Sequence, residues 1–230
     1  MSQYICVDIG GTSIKHGVLD ENAIIKECNQ TKTEAWLGGA AVLDKVKTIG
    51  KQYKEQYENI EGICISTAGM VDPEEGKIVF AGELMPDYTG TCIKKELEKA
   101  LEMPCEVEND VNCAGLAEYV SGSAKESHIM FCATVGTGIG GCAIVNGRVF
   151  HGASNSACEV GYIPMGDSDF QTLGASSILV RKVAEKKIEP LDMWDGKKIF
   201  ALAEKGDKVC ISAIKEMCDV LGKGLATICY

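Results

Sequence analysis

One local signature occurs twice in the chain and limits the fold more than any other feature. Residues 4–8 and 13–19 are apolar, strand-like runs joined across Gly10-Gly11. Residues 127–135 and 142–145 are two more such runs, joined across Gly136-Thr137-Gly138-Ile139-Gly140-Gly141. Strand, glycine turn, strand is the pattern of a hairpin. Its recurrence predicts two lobes of similar topology, residues 1–115 and 116–230, meeting through a continuous helix near residue 115.

The segments after the first hairpin complete an alternating β/α order. Asp20-Glu21-Asn22 makes a second turn, and residues 23–28 form a third strand. Val42, Val46, Ile49 and Tyr53 recur at helical steps. Residues 60–66 read as a buried strand, and 67–90, rich in glycine and proline, as loop. Ile93, Leu97 and Leu101 mark a second helix, which Pro104 ends. Residues 105–108 are a strand, and Asn109-Asp110 stands before a helix over 111–120. In the second half Asn146-Gly147 is a hairpin turn followed by a returning strand over 148–151. The remainder is mostly helical, with an apolar stripe of Ile211, Ile214, Cys218, Leu221, Leu225 and Ile228. That stripe stops in mid-pattern at Tyr230, so the second lobe is expected to lack its last strands.

Bulk composition excludes several function classes. The chain has 230 residues, 46% hydrophobic and 24% charged, as in globular domains. No apolar run reaches the length of a membrane span, and the N-terminus lacks a signal peptide's basic start and long apolar core. A net charge of −10 argues against a general nucleic-acid binder. The 12 cysteines are scattered without C-x₂-C or C-x₄-C spacing. This predicts free, buried thiols in a reducing cytoplasm and no structural zinc site.

Four motifs can carry chemistry, each with an ordinary structural alternative. Gly10, Gly11 and Thr12 offer backbone N–H groups and a hydroxyl to a phosphate, with Asp8 placed to hold Mg²⁺ through water; the alternative is a plain turn. Gly136, Gly138 and Gly141 spell G-x-G-x-x-G, but a hairpin follows rather than the helix a dinucleotide fold needs. Thr137 and Gly138 then belong to a second phosphate hairpin or to a simple turn. Asp110, between a strand end and a helix start, is a helix cap or a base kept ionised by the helix dipole, with Asn109 beside it able to bond hydroxyls. Glu159 is a solvated loop residue or a bidentate acceptor for sugar hydroxyls. Taken together, two glycine hairpins and a carboxylate between them describe a phosphoryl-transfer cleft.

The chain resembles the ROK family of sugar kinases and repressors, within the actin-like ATPase superfamily. The resemblance rests on DIGGTSIKHGVLD, ISTAGMVDPEEGKI, VENDVNCAGLAE, TVGTGIGGCAIVNGRVFHGA and EVGY, collinear to about residue 165. It implies an α/β, two-lobed, ribonuclease H-like fold with a cleft between the lobes. It also implies ATP- and Mg²⁺-dependent phosphorylation of a hexose or hexoside, usually at the 6-hydroxyl. Asp110 falls on the family's catalytic base. Asn109, Gly69 and Glu159 fall on its sugar-binding positions. Asp8, Gly10, Gly11 and Thr12 match the first phosphate loop, and Thr137 and Gly138 the second. The resemblance further implies a small-molecule sugar as partner and a homodimer.

Four departures stand out. Tyr162 occupies the place of a sugar-contacting His, with no cysteine cluster after it, which resembles the zinc-free branch that includes β-glucoside kinases. Ala68 stands where the sugar loop often has proline, and Asn155 and Cys158 replace glycines before Glu159. The family's Asn-Pro…Gly-Gly segment near the adenosine falls beyond residue 230, so a chain ending there is expected to bind ATP poorly. A repressor would need a helix-turn-helix ahead of the first phosphate loop, and Asp8 lies too near Met1 for one. A non-catalytic sugar-binding protein is the remaining alternative.

Overall fold

The computed structural model describes residues 2–82 and 85–230. Its contacts divide the chain into a unit of Met1–Ala117 with Gly152–Ser156 and a unit of Glu118–His151 with Ala157–Tyr230.

The first unit is built on a mixed sheet. β1 (Gln3–Ile9), β2 (Ser13–Asp20) and β3 (Ile25–Lys32) form an antiparallel meander. α1 (Gly39–Gln56) then leads to β4 (Ile60–Thr67), which pairs parallel with β1. The stretch expected to be loop contains a small hairpin of β5 (Met70–Asp72) and β6 (Lys77–Phe80). These strands are too short, and too broken by Pro73 and Gly76, to show alternation. Glu83 and Leu84, in the same stretch, lie outside the described residues. α2 (Ile93–Leu101) crosses to β7 (Cys105–Asn109), parallel to β4, and α3 (Asp110–Val120) follows without a break. The strand order is β3-β2-β1-β4-β7.

Burial explains the element choice. Ile5, Val7 and Ile9 of β1 alternate inward and pack with Ile63 and Ile65 of β4, Val46 of α1 and Leu97 of α2. The β3 strand is polar and exposed along most of its length. It holds its place through its ladder to β2, with a bulge at Val18/Leu19.

In the second unit, β8 (Ile129–Val135), β9 (Ile139–Val145) and β10 (Arg148–Val149) form a three-stranded antiparallel sheet. Helices follow: α4 (Phe170–Gly174), α5 (Ser176–Lys187), α6 (Gly196–Glu204) and α7 (Lys208–Cys229). One core gathers Leu179, Val183, Trp194, Ile199 and Cys210. Another gathers Ile139, Val160, Phe170 and Ala175. Asp207 caps α7, accepting from the N–H groups of Val209 and Cys210.

The cysteines depart from expectation. None of the 12 is in a disulfide, but only Cys105, Cys142 and Cys210 are buried, and Cys28, Cys64, Cys218 and Cys229 are exposed. An alternating strand turns half its positions outward, so local apolarity did not report which face a thiol occupies.

Candidate active site

The first unit carries Asp8, Gly10, Gly11, Thr12, Gly69, Asn109 and Asp110. The last pair sits where β7 turns into α3. Helix starts leave N–H groups without partners, and Asn109 satisfies two of them, sharing one with Asp110. Its Oδ1 accepts from the N–H of Val111 at 2.9 Å and of Asn112 at 3.1 Å. Its Nδ2 donates to the Gly69 carbonyl at 2.9 Å and to Asp110 Oδ1 at 3.0 Å. Two acceptances and two donations exhaust a carboxamide. Asn109 therefore ties three things together: the helix start, the Gly69 loop and the Asp110 carboxylate. Contact with a sugar hydroxyl requires exchanging one of these four bonds.

Asp110 thereby takes only a one-bond share of the capping duty that a strand-end aspartate usually has. Its Oδ1 accepts from Asn109 and from the Val111 N–H at 2.9 Å. The side chain is open to solvent, yet the protein mass around it pushes the carboxyl above its ordinary value, and the negative charge of Asp8 adds to this. The Val111 N–H and the Asn109 amide pull the other way without prevailing. Desolvation is thus the largest effect on this carboxyl.

Asp8 ends the row beside it. Ser66 Oγ, its partner in register on β4, donates to Asp8 Oδ1 at 2.8 Å, and Lys15 Nζ lies 3.8 Å from Oδ2. Gly10 and Gly11 form the β1–β2 turn. The Thr33 hydroxyl holds the Gly10 carbonyl at 2.6 Å, and the Thr33 N–H bonds the Thr12 carbonyl at 3.1 Å. Neither glycine has a positive φ. A side chain at Gly11 would meet nothing within 4 Å, so neither strain nor crowding accounts for glycine there. The bare backbone leaves room for a close approach to Gly11 and the exposed Thr12. Gly69 is different: its φ is +99°, and a Cβ would come 2.7 Å from the Phe80 carbonyl.

The second unit carries Thr137, Gly138, Glu159 and Tyr162. The turn is shorter than the glycine run suggested: β9 starts at Ile139, so Gly140 and Gly141 are strand residues. The turn is pinned to the start of α5, where Ser177 Oγ donates to the Thr137 carbonyl at 2.6 Å and Ser176 Oγ to the Val135 carbonyl at 3.2 Å. Glycines then seat the EVGY loop on β9. A Cβ on Gly161 would stand 2.3 Å from the Ile139 carbonyl, and one on Gly141 would stand 2.8 Å from the Cys158 carbonyl. Glu159 is exposed, as is Tyr162 at 61%. Asn155 and Cys158 adopt left-handed backbone, φ 56° and 65°, the conformation glycine takes without penalty. Ser66, Lys15, Thr33 and Ser177 were not singled out from sequence; each is found by strand register or helix contact.

Sheet order, the β/α crossovers and the two glycine hairpins define the actin-like ATPase class. Within it, the chain belongs to the ROK family, whose model matches residues 4–230. An uncharacterized protein of Clostridium perfringens is 46% identical over 231 residues, covering 100% of this chain and 78% of that one. A beta-glucoside kinase of Klebsiella pneumoniae is 30% identical, covering 97% of this chain and 76% of its own. Among solved structures, a ROK family glucokinase from Streptomyces griseus in complex with glucose and AMPPNP superposes with a TM-score of 0.84. It is 27% identical and is matched over 99% of this chain and 79% of its own.

Proposed function

We propose that this chain transfers the γ-phosphoryl group of ATP to a hydroxyl of a hexose or hexoside, the 6-hydroxyl first. The corner at Asn109 and Asp110 carries the reading. It holds a carboxylate with a raised proton affinity, aimed by a fully engaged amide that carries most of the cap. A base whose pKa moves toward the working pH takes a proton more effectively.

Asp110 is the catalytic base and removes the proton of the attacking hydroxyl. Asn109 and Gly69 fix the sugar loop against it, and Glu159 and Tyr162 contribute sugar contacts. The N–H groups of Gly10, Gly11, Thr12, Thr137 and Gly138 are the phosphate-facing donors. Asp8 fits a Mg²⁺ ion held through water. It is a single carboxylate with one oxygen committed to Ser66, and among the described residues no three or more His, Cys, Asp or Glu gather into a metal cluster. Such sparse ligation suits Mg²⁺, which keeps its waters and shares phosphate oxygens. When bound, the ion supplies neutralisation of phosphate charge. A homodimer belongs to the same proposal and is checked by light scattering.

The test is ADP release by purified protein against glucose, a β-glucoside, N-acetylmannosamine and fructose. Sugar-dependent turnover with at least one, lost in Asp110→Asn with sugar affinity retained, is expected. Sugar binding with no turnover on any of them overturns the kinase reading. Activity surviving in Asp110→Asn overturns the base.

A further inference from the structure

One row of residues crosses the whole sheet of the first unit on a single face. Cys28 of β3 pairs with Gly17 of β2, Gly17 with Cys6 of β1, Cys6 with Cys64 of β4, and Cys64 with Glu106 of β7. Directly opposed residues on neighbouring strands share a face, so this row floors a groove of about 610 Å³. Leu19, Ile25, Cys113 and Leu116 add apolar walls. Gly17 contributes no side chain, and a Cβ there would run into the Glu27 backbone of β3. Within the row Cys6 and Cys64 are direct register partners on β1 and β4, Cys64 exposed and Cys6 half-buried.

We propose that Cys64 and Cys6 are a thiol–disulfide exchange site, in which Cys64 attacks a low-molecular-weight disulfide admitted by the groove and Cys6 resolves it. The Cys64 thiolate bonds to one sulfur of the disulfide R–S–S–R, whose S–S bond breaks and releases R–S⁻. The Cys6 sulfur then attacks the Cys64 sulfur, closing a Cys6–Cys64 bond and expelling the second R–S⁻. The protons of the two protein thiols end on the two released thiols. Two cysteines are oxidised, and one disulfide is reduced to two thiols.

Three observations support this sequence. Adjacent strands stand about 4.7–4.9 Å apart, within the roughly 4.4–6.8 Å between Cα atoms that a disulfide accepts. Cys64 is the more open of the two, which makes it the attacking partner. The neighbouring Cys6 thiol pulls the Cys64 thiol below its ordinary value, against burial and the charge of Glu106. A thiol with a lowered pKa carries a larger fraction of thiolate, the form that attacks a disulfide. The bridge would lock β1 to β4 two residues from the Asp8–Ser66 bond, and it is independent of the sugar-kinase reading.

The test is incubation of the reduced protein with oxidised glutathione, quenching by alkylation, and peptide mapping by mass spectrometry. A linked Cys6–Cys64 peptide, reversed by dithiothreitol, is expected in the wild type. In Cys6→Ser one glutathionyl group is expected to persist on Cys64. In Cys64→Ser, Cys6 is expected to lose at least four-fifths of its modification. Cys64 is expected to be tagged faster than Cys218 and Cys229. No linked wild-type peptide at any glutathione ratio overturns the proposal, and that readout needs no variant to fold. Tagging of Cys218 and Cys229 at the same rate as Cys64 overturns it equally.

Discussion

Removing the Asn109 side chain separates the helix start, the Gly69 loop and Asp110 in one step. Asn109→Ala leaves the Asn112 N–H without its acceptor and the Val111 N–H with Asp110 alone; loss of such a cap costs about 1 kcal/mol. It also removes the donor to the Gly69 carbonyl, about 1 kcal/mol more. The sum, about 2 kcal/mol, corresponds to about 4–8 °C in the melting temperature of a chain this size. Asp110 loses its tether as well, and a loosened base is expected to lower kcat about 10²-fold. Asn109→Asp divides these effects, because a carboxylate still caps but cannot donate. Its stability loss is expected to be smaller. Its added negative charge raises the proton affinity of Asp110 further, moving the acidic limb of kcat/KM to higher pH. Circular dichroism melts and pH–rate profiles measure both. Unchanged stability of Asn109→Ala, within about 0.5 kcal/mol, would refute the capping argument. A limb that moves to lower pH in Asn109→Asp would refute the coupling to Asp110.

The Asp110 carboxyl is raised above its ordinary 3.8, so base activity is expected to fall as pH drops through a limb above that value. The same shift means that ionisation disfavours the folded state at neutral pH, so Asp110→Asn is expected to lose turnover while urea titration shows no loss of stability. Gly161→Ala forces a Cβ against the Ile139 carbonyl and is expected to cost about 2 kcal/mol by overpacking, read in thermal melts. Gly69→Ala meets both a φ of +99° and the Phe80 carbonyl. It is expected to cost about 2–3 kcal/mol and to raise the KM for sugar more than the KM for ATP.

The regular parts of the fold were legible because periodicity reports burial. Residues 4–8 were read as strand, and β1 is Gln3–Ile9; the helix carrying Val42, Val46, Ile49 and Tyr53 is Gly39–Gln56. β3 was read as residues 23–28 but runs Ile25–Lys32, because an exposed polar strand has no apolar alternation and is defined by its ladder. The β5–β6 hairpin was missed for its shortness. In the candidate site, the sequence offered Asp110 as the helix cap. The backbone gives most of that role to Asn109, whose Oδ1 accepts from two N–H groups where Asp110 accepts from one. Ser66 and Lys15 escaped notice for a related reason: contacts with Asp8 come from strand pairing, which spacing along the chain does not encode.

The most direct test is the product itself. Purified protein is given ATP, Mg²⁺ and a mixed pool of hexoses and β-glucosides, and the products are identified by mass spectrometry and NMR. The expected result is one class of sugar monophosphate, modified at the 6-hydroxyl, absent from the Asp110→Asn reaction. ATP consumed with no phosphorylated sugar, or the same sugar phosphate from Asp110→Asn, would contradict it.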